Sequence, residues 1–270
     1  MKDWQLHVSP LKEIAADLHV HTALSPCGSD DMTPPAIVAA ALEAGLDMIA
    51  ICDHNTAGNA AAVQEAAAER AASGGGELAV LAGMEVASAE EVHVVGLFPD
   101  AVAAERAAAE VRAVLPAADG DYYSFFGPQE LLDCKGDLSG SEAKALALAS
   151  TFDLEDTVAL IKRHGGLAVA AHIDRPAFGL LSQLGWFPED AGFDGVEISR
   201  HVPDDSPRME EFRSFGLPLT GGSDAHYLEE IGAARTIIRT EGTGFGELVR
   251  AFACEDGRSV DRAPLDGAHA

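Results

Sequence analysis

The chain has 270 residues, 47% of them hydrophobic, and a formal charge of −26 from 18 basic and 44 acidic side chains. That length supports one large domain with a sizeable core, and barrels of this size need not divide. The charge opposes long-range attraction to nucleic acid or an anionic membrane, and no run of Lys or Arg supplies a compensating patch.

Residues 14–20 read as a strand, and Pro34-Pro35 opens a helix reaching Glu43, proline being tolerated in a first helical turn. Residues 47–52 form a short apolar run suited to a buried parallel strand, followed by an alanine-rich helix over about 60–72. Strands are expected at 78–81 and 92–98, then a helix over 101–115. Between 116 and 150 the alternation lapses: Tyr122, Tyr123, Phe125 and Phe126 cluster, and a hairpin is expected around Lys135-Gly136. This insertion is a lid over the site, an interface element or a plain surface excursion. A helix over 154–163, with Asp153 as its cap, and a strand at 167–171 resume the pattern. Strands at 195–198, 217–220 and 234–238 and helices near 205–215 and 245–254 complete it. Residues 1–258 are expected to form a single domain and 259–270 a disordered tail. Alternating β and α segments imply parallel strands with right-handed crossovers, and seven or so such units close into a barrel whose strand-end loops share one face.

The short clusters Asp17-Leu18-His19-Val20-His21, Asp53-His54-Asn55, Glu85 with His93, and Ser223-Asp224-Ala225-His226, with His172 between the last two, fall on that face. Imidazole and carboxylate are the ligands of zinc, manganese and iron, and a His-x-His pair at a strand end aims two ring nitrogens into one cavity. A single histidine after a strand is usually a core or loop residue. Convergence of all the clusters is not what core packing alone produces, so a multinuclear metal site is expected. His7, His164 and His269 are set aside as belonging to a terminal segment, a helix end and the tail.

Cys27, Cys52, Cys134 and Cys254 are widely spread, so neither a zinc knuckle nor a disulfide framework is indicated. Reduced thiols, an N-terminus without a signal-like apolar core and the absence of any stretch of about 18 apolar residues lead to the expectation of a soluble, cytoplasmic protein.

On these same motifs the chain resembles the PHP (polymerase and histidinol phosphatase) family, over about residues 15–230. The resemblance implies a distorted (β/α)7 TIM-like barrel, with the insertion around 116–150, and two or three divalent ions (Mn, Fe or Zn) that hydrolyse phosphate esters. Carried over, His19, His21, Glu85 and Asp224 would share one ion, Glu85 would bridge to a second held by His93 and His172, and His54 and His226 would hold a third. The family usually supplies one more His or Asp five or six residues after the second His, where this chain has Pro26 and Cys27. Asp31 is the expected replacement, a hard carboxylate suiting manganese or iron better than Cys27. The other reading is that Asp30 and Asp31 merely favour the positive end of the following helix. Asp17 and Asp53 are expected to orient ligating imidazoles from behind.

Two ions near 4 Å apart activate a bridging water and bind phosphoryl oxygens, with Glu85 as bridging carboxylate, so no serine or cysteine nucleophile is required. Arg175, three residues after His172, is expected to fork onto the substrate phosphate, the alternative being a surface pair with Asp174. His201 would protonate the leaving group or contact phosphate, and Glu197 would tether a neighbouring histidine. The leading expectation is hydrolysis of a small nucleotide or sugar phosphate, with no membrane or long nucleic-acid partner. Alternatives are a nuclease trimming short oligonucleotides, an amidohydrolase-type barrel, against which the Glu85, His93 and Ser-Asp-Ala-His pattern argues, and a catalytically silent metal-bound regulatory domain.

Overall fold

The computed structural model describes residues 10–265, so His7 and His269 lie outside the described residues. The first half of the chain forms β1 (Lys12–Val20), α1 (Pro34–Glu43), β2 (Met48–Ile51), α2 (Ala60–Ala72), β3 (Ala79–Ala87), β4 (His93–Phe98) and α3 (Ala101–Val114). The insertion contributes α4 (Gly120–Phe126), β5 (Glu130–Leu132) and β6 (Leu138–Ser141). There follow α5 (Leu154–Arg163), β7 (Leu167–Ala170), α6 (Leu180–Leu184), β8 (Gly195–Ile198), α7 (Arg208–Ser214), β9 (Leu219–Gly221), β10 (Thr236–Thr240), α8 (Phe245–Phe252) and β11 (Ser259–Arg262).

Nine strands make one sheet in the order β11-β10-β1-β2-β3-β4-β7-β8-β9, and it curls into a nearly closed barrel. Gly221 N–H donates to Thr236 Oγ1, which donates back to Gly221 O, while Ala225 bridges Val20 beyond the end of β10. The fold is therefore the expected distorted TIM-like barrel, but its sheet is mixed and not wholly parallel. β1–β2, β2–β3, β7–β8 and β8–β9 are parallel; β3–β4, β4–β7, β1–β10 and β10–β11 are antiparallel. The reason lies in the connection from Ala87 to His93, which is too short for the crossover that parallel strands need. Antiparallel β4 consequently begins at the rim where β3 ends, and its first residue, His93, still meets Glu85.

Alternating strand residues fill two layers. Ala16, Leu18, Met48, Ala50, Val95 and Val169 pack in an inner cluster with Leu248 and Phe252 of α8. Ile49, Ile51, Met84 and Val94 pack outward against α1, α2, α3 and α5. In β1 the register slips between Asp17 and Val20. An extra residue in a strand re-aims its side chains. Ile14, Ala16 and Leu18 join the inner cluster, and after the slip the odd residues His19 and His21 turn to the site.

Asp153 caps α5 as expected, its carboxylate accepting from Asp156 N–H at 2.8 Å. The expected hairpin is present as β5–β6, turning at Gly136 with φ +84°. The tail expected to be disordered from residue 259 instead forms β11, paired with β10. Val260 buries its side chain in the inner cluster, and Arg258 is held by Glu241 and Glu247, contacts that a local reading of a polar segment does not show. Residues 266–270 lie outside the described residues.

Candidate metal centre

Glu85 is the hub of the site. It is fully buried in β3, where a carboxylate charge is tolerable only among cations or donors. Its Oε1 lies 2.8 Å from His93 Nδ1, 3.1 Å from His172 Nε2 and 3.4 Å from His19 Nε2. Its Oε2 lies 2.8 Å from His54 Nδ1 and 3.5 Å from His21 Nε2. Asp224 Oδ1 approaches His21 Nε2 at 2.9 Å and His19 Nε2 at 3.5 Å.

At this site three sets of ligand atoms each fall within 4.8 Å of one another: His19, His21, Glu85 and Asp224; His54, Glu85 and His93; and His21, His54 and His226. Among the described residues, buried Glu85 Oε2 and His93 Nδ1 meet their imidazole and carboxylate neighbours at 2.8 Å without the alignment of a hydrogen bond. Buried polar atoms are rarely left so, and lone pairs aimed at a shared point are what cation ligation requires. The donor set fits a multinuclear metal site. Within the protein alone, burial raises Glu85, but the His93, His19 and His54 imidazoles and a bond from His172 outweigh it and hold the carboxyl well below its usual range.

The partners behind the ligands explain how the rings are aimed. His19 Nδ1 bonds Glu197 at 3.1 Å, so Glu197 tethers a histidine as expected. His21 Nδ1 bonds Ser25 Oγ at 2.9 Å, and Ser25 Oγ donates to Asp53 at 2.7 Å. His226 Nδ1 bonds the Asp224 carbonyl at 2.8 Å. In each case the bond at Nδ1 turns the other ring nitrogen, Nε2, towards the cluster. Asp53 therefore acts through Ser25, and Asp17 touches no imidazole: it accepts from Ser223 and Gly232 N–H and pins the loop that carries Asp224. Asn55, His172 and Asp224 hold left-handed backbone at φ +55°, +25° and +51°, a conformation uncommon for residues with a side chain and recurrent at functional sites, although Cys254 and Asp256 hold it away from the cluster.

Of the residues singled out in the sequence, His19, His21, His54, Glu85, His93, His172, Asp224 and His226 are brought together. Arg175 joins them: its Nη1 lies 2.5 Å from Asp224 Oδ2, while Asp174, the alternative partner, bonds Ser199 instead. Asp31 is a correction. It is exposed, its N–H bonds the Ser29 hydroxyl, and it belongs to none of the ligand clusters, because the loop turns back before reaching it. Cys27 stands nearer: solvent-exposed like Asp31 and likewise outside the three sets, it places its Sγ 3.1 Å from His54 Nε2, with the His226 imidazole also beside it. Burial raises the Cys27 thiol, but these two imidazoles outweigh that and bring it down to about 6. His201 is exposed, its N–H on Ser199 Oγ, and lines neither cavity at the cluster, since the chain turns outward after β8.

Sequence reasoning missed three further residues. Phe178 stacks on His93 with ring centroids 4.6 Å apart, and Ser25 relays Asp53 to His21. Asn55 donates to the Leu146 and Leu148 carbonyls and accepts from Ala87 N–H, so the third residue of its motif clamps the insertion to the barrel. Its place in the motif was visible, but its partners lie about 90 residues away. A cavity of about 220 Å³ opens here between Cys27, His54, His93, Phe126, Leu146 and Phe178. A second, of about 180 Å³, reaches His172, Arg175, Asp224 and His226.

A model described as PHP domain matches residues 17–161, and one described as PHP-associated matches residues 209–256. Among solved structures, a lesion-specific endonuclease from Pyrococcus furiosus is similar at a TM-score of 0.69 and 18% identity, over 94% of this chain and 60% of that one. Endonuclease Q in complex with a 27-mer duplex substrate, with an abasic lesion at the active site, is similar at 0.67 and 18% identity, over 92% and 58%. A candidate metal-dependent phosphoesterase from Bifidobacterium adolescentis is similar at 0.55 and 22% identity, over 78% and 87%. The chain thus spans about three-fifths of the length of the endonucleases, and at these identities the likeness is one of fold. No curated protein matches the chain.

Proposed function

Since the chain belongs to the PHP domain family, we propose that it is a metal-dependent phosphoesterase and that its substrate is a nucleic-acid phosphate. The observation that carries the hydrolytic reading is Glu85, buried with five imidazoles within 3.5 Å and one oxygen that none of them meets in hydrogen-bond alignment. His19, His21, Glu85 and Asp224 would hold one ion, Glu85, His93 and His172 a second, and His54 and His226 a third. Such ions supply an activated water and neutralise phosphoryl charge. The chain's own residues do the remaining work. Glu197, Ser25 and the Asp224 carbonyl fix the ligand rings. Arg175 spends one nitrogen on Asp224 and lines the cavity that a phosphate would enter, where its other donors would be available to it. Phe178 and Phe126 wall the approach and limit water.

Fold likeness to the endonucleases over more than nine-tenths of this chain supports the nucleic-acid substrate and reverses the order expected from sequence. A second reading, a small nucleotide or sugar phosphate, is favoured by the charge of −26 and by cavities of only about 180 and 220 Å³. Protein stripped by chelation and reloaded with manganese, iron or zinc separates the two. Phosphate release from monoesters and cleavage of end-labelled single strands and abasic duplexes are measured side by side. Cleavage restored by metal supports the proposal; release from monoesters alone moves the substrate to the second reading. Turnover that survives complete metal removal overturns both.

A further inference from the structure

We propose that Cys27 is itself a metal ligand, completing with His54 and His226 a thiolate-bearing position that selects zinc, ferrous or cobaltous ion over manganese. The loop that carries it is anchored to the backbone of both histidines: His54 N–H donates to Ser25 Oγ at 3.2 Å, and Ser29 N–H donates to the His226 carbonyl at 2.9 Å. Between these anchors the chain winds tightly, with Ser25 N–H on Thr22 O and Gly28 N–H on Ser25 O. A Cβ at Gly28 would stand 2.4 Å from Thr22 O, so only glycine lets the loop place Cys27 here.

The sulfur therefore stands against His54 by construction of the loop. Its 3.1 Å separation from His54 Nε2 compares with roughly 3.6 Å for sulfur and nitrogen on one tetrahedral zinc, an adjustment of about half an ångström. Independent of the cysteine, ligand atoms of His21, His54 and His226 lie within 4.8 Å of one another, which marks this side of the cluster as able to hold a cation, while Glu85 Oε2 meets the opposite ring nitrogen of His54, Nδ1, at 2.8 Å. At this centre the other two ligand sets contain Glu85, whereas His21, His54 and His226 form a set without a carboxylate. A thiolate supplies the missing negative charge, and as a soft donor it favours zinc or ferrous ion over manganese or magnesium.

This inference rests on the metal-centre reading and not on the substrate. Its test is absorption of the cobalt-loaded full-length protein beside the Cys27→Ser variant. The expected result is a thiolate-to-cobalt charge-transfer band in the near ultraviolet that Cys27→Ser removes, together with one metal equivalent, while the visible bands of the remaining ions persist. Alkylation of Cys27, followed by peptide mass analysis, should be slowed about tenfold or more by zinc. Visible cobalt bands with no charge-transfer band, or the same band in Cys27→Ser, overturn the Cys27 assignment and leave the metal centre standing. Failure to bind cobalt at all overturns both.

Discussion

Glu197 and Arg175 act on different members of one cluster, Glu197 on His19 and His172 and Arg175 on Asp224. Glu197 is buried and accepts from His19 Nδ1 and the His172 N–H, both at 3.1 Å, so it aims one ligand ring and fixes the backbone of another. Glu197→Ala should weaken metal binding about 10–100-fold in a chelator-competition titration, and Glu197→Gln should recover part of it, since an amide oxygen still accepts. Arg175 reaches Asp224 from the solvent side with 29% of its side chain exposed, so it is available to a ligand. Removing one charge-assisted pair to phosphate costs roughly 1.5–3 kcal/mol, so Arg175→Ala should lower kcat/KM by about one to two orders of magnitude. Metal content should not change. Arg175→Lys should rescue only partly, because a point charge does not reproduce a bidentate fork.

At the scale of elements, the insertion is fastened to the rim at two points. Asn55 holds Leu146 and Leu148, and Asn59 holds both ends of the β5 strand through the Glu130 carbonyl and the Leu132 N–H. A segment tied in this way forms part of the cavity wall, through Phe126, Leu146 and Ala147. Asn55→Ala leaves two carbonyls and the Ala87 N–H short of a partner, a loss of about 1–3 kcal/mol in denaturant unfolding. Limited proteolysis should then cut within 127–150 faster than in the parent protein. The hairpin itself was legible because Lys135-Gly136 supplies a turn between apolar runs. The clamp was not, because Asn55 reads locally as one more residue after a strand.

For the molecule as a whole, the seam closed by β10, α8 and β11 ties stability to pH. Arg258 is buried, with 1% of its side chain exposed, against Glu247 and Glu241. Its guanidinium brings Glu247 from the ordinary 4.5 down to about 2. A depressed carboxylate contributes stability that is fully present above its unfolded value and is lost as pH falls towards its folded one. Screening of this partly exposed group reduces the effect to about 1–2 kcal/mol. Urea midpoints should therefore fall between pH 5 and pH 2, and Glu247→Gln should flatten that limb while lowering the midpoint at pH 7. The surface charge acts at the same scale: cleavage of an oligonucleotide by so acidic a protein should accelerate as added salt screens the repulsion, where a basic nuclease would slow.

The sequence by itself determined the barrel and singled out eight residues that the fold brings to one cluster, because apolar runs, proline and cap positions, and His-x-His spacing are local patterns that survive any tertiary arrangement. It also carried Glu197 and Arg175 to the right neighbourhood. Only the tertiary structure decided strand direction at β4 and the phase slip that turns His19 and His21 inward. The same holds for β11 as a strand, His201 as a surface residue and Cys27 as the side chain beside His54 in place of Asp31. Each of these depends on which distant backbone groups a loop bonds, such as Ser25 with His54 or Ser29 with His226. Such pairings follow from closing the barrel and leave no periodic mark on the residues that make them.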